Sequence, residues 1–237
     1  MKTAYFGYGK MGRAVEAAAL ERGHTTAAII DPLVESHSTP ANHVGPDTGC
    51  DVAFEFSTPA TAVDNILRCF DLGIPVVSGT TGWNNRMEEV ADICRARGAA
   101  LFVASNFSIG MNIMFELNRR LAELMQGRTI NVDPDTGYEV AISETHHIHK
   151  LDAPSGTALV LAEDIAAVTG GERPPITSHR IGEVPGIHEV VYDSPVDTLT
   201  LRHEAKNRKG LALGAVLAAE FLVGKKGIYT MRDLLNE

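Results

Sequence analysis

The sequence predicts an α/β protein: a doubly wound parallel sheet joined to a second α+β domain on a mixed sheet. Short apolar runs alternate with helical patterns through the first half, the order expected of successive βαβ units. At Ser108 the spacing lengthens into a single long helical pattern, which separates the two halves. Beyond it, strand-like runs follow one another with one helix among them, the order of an α+β unit.

In the first half, strands are expected near 2–6, 26–31, 51–57, 75–79 and 100–105, with helices near 10–22, 59–72 and 84–97. Gly23, Gly73 and Gly98 close those helices, where a left-handed residue satisfies the last carbonyls without a Cβ penalty. Past Ser108, Ile113, Leu117, Leu121 and Leu124 recur at three or four residues and predict an amphipathic helix ending near Gly127. Strands near 138–145, 187–192 and 197–204 and a helix near 155–168 make up the second domain. Residues 210–223 read as a nearly all-apolar helix with Glu220 as its exception, followed by a short amphipathic tail from Tyr229 to Leu235. Periodicity alone leaves open which domain that end packs on.

Composition narrows the function classes. At 237 residues, 44% hydrophobic and 22% charged, the chain has the make-up of an ordinary globular protein. A formal charge of −9 repels nucleic acid and anionic lipid, so neither is expected as a partner. A small anion remains compatible, because helix N-termini and a few local cations outweigh a field screened within about 10 Å. Cys50, Cys69 and Cys94 show no CxxC spacing and leave one over, which fits a reducing compartment. The strand pattern starts at Thr3 and leaves no room for a leader, and Leu211 to Val223 is too short to span a bilayer. A cytoplasmic location is expected.

Two motifs carry chemistry. Gly7-Tyr8-Gly9-Lys10-Met11-Gly12 is a GxGxxG between an apolar strand and a helix, and Asp31 ends the next strand 19 residues past Gly12. Glycines at these positions permit a tight turn and close approach to a pyrophosphate, the helix N-terminus offers free N–H groups, and the acid suits a ribose 2′-OH. This is the arrangement of a Rossmann-type dinucleotide site. Two further loops, Gly79-Thr80-Thr81 and Ala104-Ser105-Asn106-Phe107, follow the fourth and fifth strands and converge on the same sheet edge, although each alone reads equally well as a turn with a helix cap.

The second motif is Glu144-Thr145-His146-His147-Ile148-His149-Lys150-Leu151-Asp152-Ala153-Pro154-Ser155-Gly156-Thr157-Ala158, three histidines and a lysine between a strand and a helix. Ser155, Gly156 and Thr157 open that helix and suit a carboxylate, while the ionisable side chains suit a second carboxylate and a proton transfer. A metal site is disfavoured, because consecutive histidines on an extended segment point to opposite faces and no cysteine or third-face acid completes a shell. A solvated basic loop with an ordinary N-cap is the other plain reading.

With both motifs in view, the sequence resembles the 4-hydroxy-tetrahydrodipicolinate reductase family, also called dihydrodipicolinate reductase. ETHHIHKLDAPSGTA carries the resemblance, supported by SGTTGW, ASNFSIGMNIM and YTMRDLL. The resemblance implies an NAD(P)H-dependent oxidoreductase of lysine and diaminopimelate biosynthesis. His146 and Lys150 would then be catalytic, and His147, Ser155, Gly156 and Thr157 would hold a small dicarboxylate substrate. The cofactor would be lined by Gly7 to Gly12, Asp31, Gly79, Thr80, Thr81, Ala104, Ser105, Asn106 and Phe107, with no metal. It also implies a dinucleotide-binding domain of residues 1–107 plus 208–237, a substrate-binding and oligomerisation domain of residues 108–207, and a homotetramer. Three departures stand out: the phosphate loop is one residue shorter than the family's GxxGxxG, Pro32 stands where some members carry arginine, and Arg180 to Lys206 is a shortened run. With Asp31 and no cation at 32, NADH is the expected cofactor and NADPH the alternative. A different dehydrogenase of similar architecture and a non-catalytic dinucleotide sensor are the competing readings; the histidine–lysine segment disfavours both.

Overall fold

The computed structural model describes residues 1–33, 44–129, 131–207 and 209–237, which fall into two compact units. The first comprises Met1–Ile109 and Lys209–Glu237, and the second Gly110–Arg208.

In the first unit six parallel strands form one sheet: β1 (Lys2–Phe6), β2 (Thr25–Ile30), β3 (Val52–Glu55), β4 (Val76–Ser78), β5 (Ala100–Val103) and β10 (Gly227–Tyr229). Their order across the sheet is β10-β5-β4-β3-β1-β2. The chain winds outward from β1 in one direction to β2 and in the other to β3, so the switch point lies between β1 and β3, where open α/β sheets place their ligands. Helices α1 (Lys10–Glu21), α2 (Pro59–Asp71), α3 (Met87–Arg97), α6 (Lys209–Leu222) and α7 (Met231–Leu235) complete the unit. Gly23, Gly73 and Gly98 all take positive φ after their helices, as the sequence predicts.

Both faces of this sheet are covered, which explains its near-continuous apolar strands. One face packs α2 and α3 through Val63, Ile66, Cys69, Phe70, Val90 and Cys94, which places two of the three free cysteines as small core residues. The other packs α1 and α6 through Val15, Ala19, Ala212, Ala215, Val216 and Ala219. Alanine and glycine bring α6 close: a Cβ at Gly214 would stand 1.8 Å from the Phe107 carbonyl oxygen. Glu220, the exception in the apolar helix, accepts from Arg22 Nε and Nη2 and pairs with His24 Nε2, all at 2.7–2.8 Å. None of the described helices is long and apolar enough to cross a membrane.

The second unit is a mixed sheet with two helices on one face. Strand β6 (Glu139–His146) pairs parallel with β7 (Ile176–Arg180) and antiparallel with β8 (Ile187–Asp193), and β8 pairs antiparallel with β9 (Thr198–Glu204). The α-helices are α4 (Ile109–Met125) and α5 (Gly156–Thr169). Ile142, Val190 and Tyr192 from the sheet meet Met111, Met114, Ala122, Leu161 and Ile165.

Helix α4 corrects the predicted stripe. Ile113, Leu117 and Leu124 are exposed, and the buried face is Met111, Met114, Asn118 and Ala122. The helix has apolar residues on two sides, and the narrower side chains Asn118 and Ala122 lie buried beside α5. Asn118 Nδ2 donates to the Leu161 carbonyl oxygen at 3.1 Å, which satisfies the amide nitrogen of a side chain with no exposed surface, while its Oδ1 has no hydrogen-bond partner among the described residues.

Candidate active site

Two sites form, one in each unit. In the first, the phosphate loop turns between β1 and α1. Gly7 takes φ +85°, and a Cβ there would stand 2.2 Å from the Phe56 carbonyl oxygen. A Cβ at Gly12 would stand 2.2 Å from the Gly7 oxygen, so both positions admit only glycine. Among the described residues nothing lies within 4 Å of a Cβ at Gly9, which leaves the loop open on the side where a phosphate approaches the N-terminus of α1. No acid sits in that first turn.

Around this loop, Tyr8 N–H donates to Asp31 Oδ2 at 2.6 Å and Leu33 N–H to Oδ1 at 2.8 Å, which fixes the carboxylate at the end of β2. Lys10 is exposed and Met11 half-buried. The Tyr8 hydroxyl reaches Glu16, and the Arg13 guanidinium lies 4.6 Å from the Tyr8 ring centroid.

A pocket of about 260 Å³ opens beside Met11, lined also by Phe56, Ser57, Pro59, Gly79, Thr80 and Thr81. Gly79 is fixed by Phe56, since a Cβ there would meet the ring at 2.1 Å. Beneath the pocket, fully buried Glu55 accepts from Ser57 N–H at 3.1 Å, from Ser78 Oγ at 2.9 Å and from Ser57 Oγ. Ser57 N–H also donates to Thr80 Oγ1 at 2.9 Å, tying the β3 and β4 loops together. Ala104 N–H donates to the Ser78 oxygen at 3.2 Å, and Asn106 Oδ1 accepts from Ser108 N–H at 2.9 Å. Ser105 is exposed, whereas the Phe107 ring is core, 5.7 Å from Phe56 and 6.0 Å from Phe102. Open N–H groups, glycines that only backbone could crowd and an adjoining pocket suit a dinucleotide.

In the second unit the inner face of the sheet turns from apolar to ionisable at one end. Glu144 on β6, His188 on β8 and His203 on β9 are direct cross-strand partners, and His146 follows Glu144 on the same face. Glu144 is fully buried; Arg180 from β7 donates to its Oε1 at 2.9 Å, and His146 Nδ1 bonds its Oε2. Burial works against the charge on Glu144, but Arg180, Ser178 and His146 together outweigh it and hold its pKa below the usual carboxylate value. Burial pushes His146 below the ordinary imidazole value, the Glu144 contact opposes that, and Lys150 and Arg180 add to it. His188, its ring 5.0 Å from that of His146, is pushed down to about 4, chiefly by burial.

Helix α5 starts against this cluster. Ser155 caps it: Oγ accepts from Ala158 N–H at 3.2 Å and lies 3.1 Å from His188 Nε2. The N–H groups of Gly156 and Thr157 are first-turn donors without helical partners, and no acid occupies that turn. Lys150 Nζ is held 2.8 Å from Asp152 Oδ1, whose carboxyl this contact keeps below its usual range. Arg180 also donates to the carbonyls of Lys150 and Asp152, so one guanidinium secures both the strand and the loop. His147 is half-buried and its ring lies 5.9 Å from that of His149, while His146 sits on the buried face. Alternation along β6 thus separates the two histidines.

Sequence reasoning missed Glu144, Arg180 and His188. It also held that no cysteine or third-face acid completes a shell with the histidines, whereas ligand-type atoms of Glu144, His146 and His188 all lie within 4.8 Å of one another. Arg180, the Glu144–His146 hydrogen bond and Ser155 engage these side chains and link them in a hydrogen-bonded chain. The available signal was the two-residue spacing of Glu144 and His146 on a strand.

Residues 1–107 match the family described as dihydrodipicolinate reductase, N-terminus, and residues 110–235 match dihydrodipicolinate reductase, C-terminus. A 4-hydroxy-tetrahydrodipicolinate reductase of Christiangramia forsetii is 42% identical over 248 residues, covering 100% of this chain and 98% of that protein. One of Xanthomonas campestris pv. campestris is 36% identical over 237 residues, covering 96% and 94%. The dipicolinate-bound dihydrodipicolinate reductase from Paenisporosarcina sp. TG-14 shares the fold, with a TM-score of 0.79 over 97% of both chains at 22% identity. The chain belongs to the 4-hydroxy-tetrahydrodipicolinate reductase family, the NAD(P)H-dependent oxidoreductases that reduce 4-hydroxy-tetrahydrodipicolinate to tetrahydrodipicolinate in lysine and diaminopimelate biosynthesis.

Proposed function

We propose that the loops at the β1–β3 switch point bind the cofactor with NADH preferred, and that the Glu144–Thr157 segment binds and protonates a small cyclic dicarboxylate. The observation that carries this reading is the junction of β6 and α5. There a buried imidazole, a lysine and an acid-free helix N-terminus stand within one short segment. The dipicolinate in the Paenisporosarcina enzyme, a planar ring with two carboxylates, is chemically of this class.

In this reading Ser155, Gly156 and Thr157 hold one carboxylate with hydroxyl and first-turn N–H groups. Lys150 and His147 face the other carboxylate, Lys150 leaving Asp152 to do so. The reduced nicotinamide supplies the hydride when bound. The 4-hydroxyl leaves as water before the hydride adds to the ring carbon that carried it. The electron-rich nitrogen–carbon system left after hydride addition takes a proton from the imidazolium of His146, with Lys150 as the second proton donor. Around the cofactor, Gly7, Tyr8, Gly9, Lys10, Met11, Gly12, Gly79, Thr80, Thr81 and Ala104 to Phe107 supply the contacts.

The NADH preference rests on Asp31. Its carboxylate is pinned by two backbone N–H groups, accepts from a ribose 2′-OH and repels a 2′-phosphate, and Pro32 adds no cation. Steady-state reduction with each cofactor at physiological salt is expected to give the higher kcat/KM with NADH. A higher value with NADPH would overturn the preference.

A homo-oligomer through the outer face of the second sheet completes the proposal. Ala141, Thr177, Thr198, Thr200 and Arg202 on that face are exposed, and Ser143, Thr145, Glu189 and Val191 half-buried, while both helices of the unit pack on the opposite side.

A further inference from the structure

We infer that Glu144, held by Arg180, is the positioning residue that keeps the His146 proton on Nδ1 and presents Nε2 as the atom exchanging a proton with substrate. The inference deepens the proposed function and rests on His146 being the proton donor.

Three features converge on the ring. Glu144 has no exposed surface, so it touches no ligand, and both its oxygens are used: Oε1 by Arg180 and Oε2 by His146 Nδ1. A carboxylate accepts only, so the shared proton belongs to Nδ1. On the opposite edge, Gly186 is buried, and a Cβ there would stand 3.1 Å from His146 Nε2, tight enough to press on the ring. Nε2 has no hydrogen-bond partner among the described residues. The ring is therefore clamped on one nitrogen and left clear on the other.

The carboxylate has an electrostatic task as well. His146 is faced by Glu144 from its own strand, His188 from β8, Arg180 from β7 and Lys150 from the following loop. Burial and the two cations disfavour imidazolium; Glu144 is the one group of the four that favours it. Removing its charge lowers the His146 pKa further, so the protonated fraction is lost at lower pH. Arg180 couples the pair to the loop, since it also donates to the carbonyls of Lys150 and Asp152.

The test uses the full-length protein. For Glu144→Gln, kcat/KM is expected to fall about 10- to 100-fold with KM for NADH unchanged. The limb of the kcat/KM profile that falls with rising pH should move to lower pH, because that profile reports the free enzyme. Glu144→Gln/His146→Gln should be no slower than His146→Gln alone, since one residue acts through the other. A second measurement needs no Glu144 variant: nitrogen-15 histidine spectra of the wild-type protein, assigned by difference against His146→Gln, should show His146 as the Nδ1–H tautomer above its pKa. An Nε2–H tautomer, an unmoved pH limb, or additive losses in the double variant would overturn the positioning role even with His146→Gln impaired. Near-wild-type turnover by His146→Gln would instead overturn the reading on which it rests.

Discussion

His188 shows what it takes to keep an imidazole in a sheet interior. It is 5% exposed, and burial, with the His146 ring beside it, pushes its pKa down to about 4 from an ordinary 6.5. Between those values the unfolded chain binds a proton that the folded protein refuses. Stability is thus full above pH 6.5 and falls as pH drops toward 4. The gap corresponds to roughly 3 kcal/mol. Urea midpoints at pH 7 and pH 4.5 should therefore differ more for the wild type than for His188→Gln; equal losses in the two proteins would remove His188 from this role. The same residue marks the limit of sequence reading. His146, Lys150 and Ser155 share one segment and are legible together, whereas His188 and Arg180 join them only through strand pairing. Glu144 was within reach, since the alternation that separates His146 from His147 also places Glu144 beside His146.

Among the elements, the long and strongly patterned ones were legible. The strands β1 to β5 and helices α1 and α2 lie within about two residues of their predicted limits, because apolar runs and terminal glycines mark them well. Strand β7 (ITSHR) offers one apolar side chain, and β10 (GIY) is three residues long, so neither carries a readable period. Helix α4 failed differently: of the predicted stripe only Leu121 packs on the core while Ile113, Leu117 and Leu124 are exposed, and the buried face uses Met, Asn and Ala. The sheet of the second unit carries the assembly prediction. Val191 and its cross-strand partner Thr200 lie on the outer face. Sedimentation should give a mass that is a multiple of 25.4 kDa, and Val191→Lys should lower it. A wild-type monomer at micromolar concentration would contradict assembly through this face.

At the scale of the whole molecule, the proposed function divides the work between the two units by chemistry. A parallel sheet supplies a glycine turn, a free helix N-terminus and a pinned acid for a dinucleotide. A mixed sheet buries a carboxylate–imidazole pair and delivers a lysine and a second helix N-terminus beside it. The resemblance in the histidine–lysine segment pointed to the substrate, which no periodicity could, while Asp31 and Pro32 pointed to the cofactor. The central claim is that this segment performs the reduction, and Lys150 tests it most directly because, among the described residues, its side chain is bonded only to the exposed Asp152. A cation aimed at a substrate carboxylate and developing ring charge is worth about 2–4 kcal/mol. In a 4-hydroxy-tetrahydrodipicolinate-dependent NADH oxidation assay, the wild-type protein should turn over, and Lys150→Ala should lose roughly 10²- to 10³-fold in kcat/KM with an unchanged melting temperature. Near-wild-type kcat/KM in a folded Lys150→Ala protein would contradict the account.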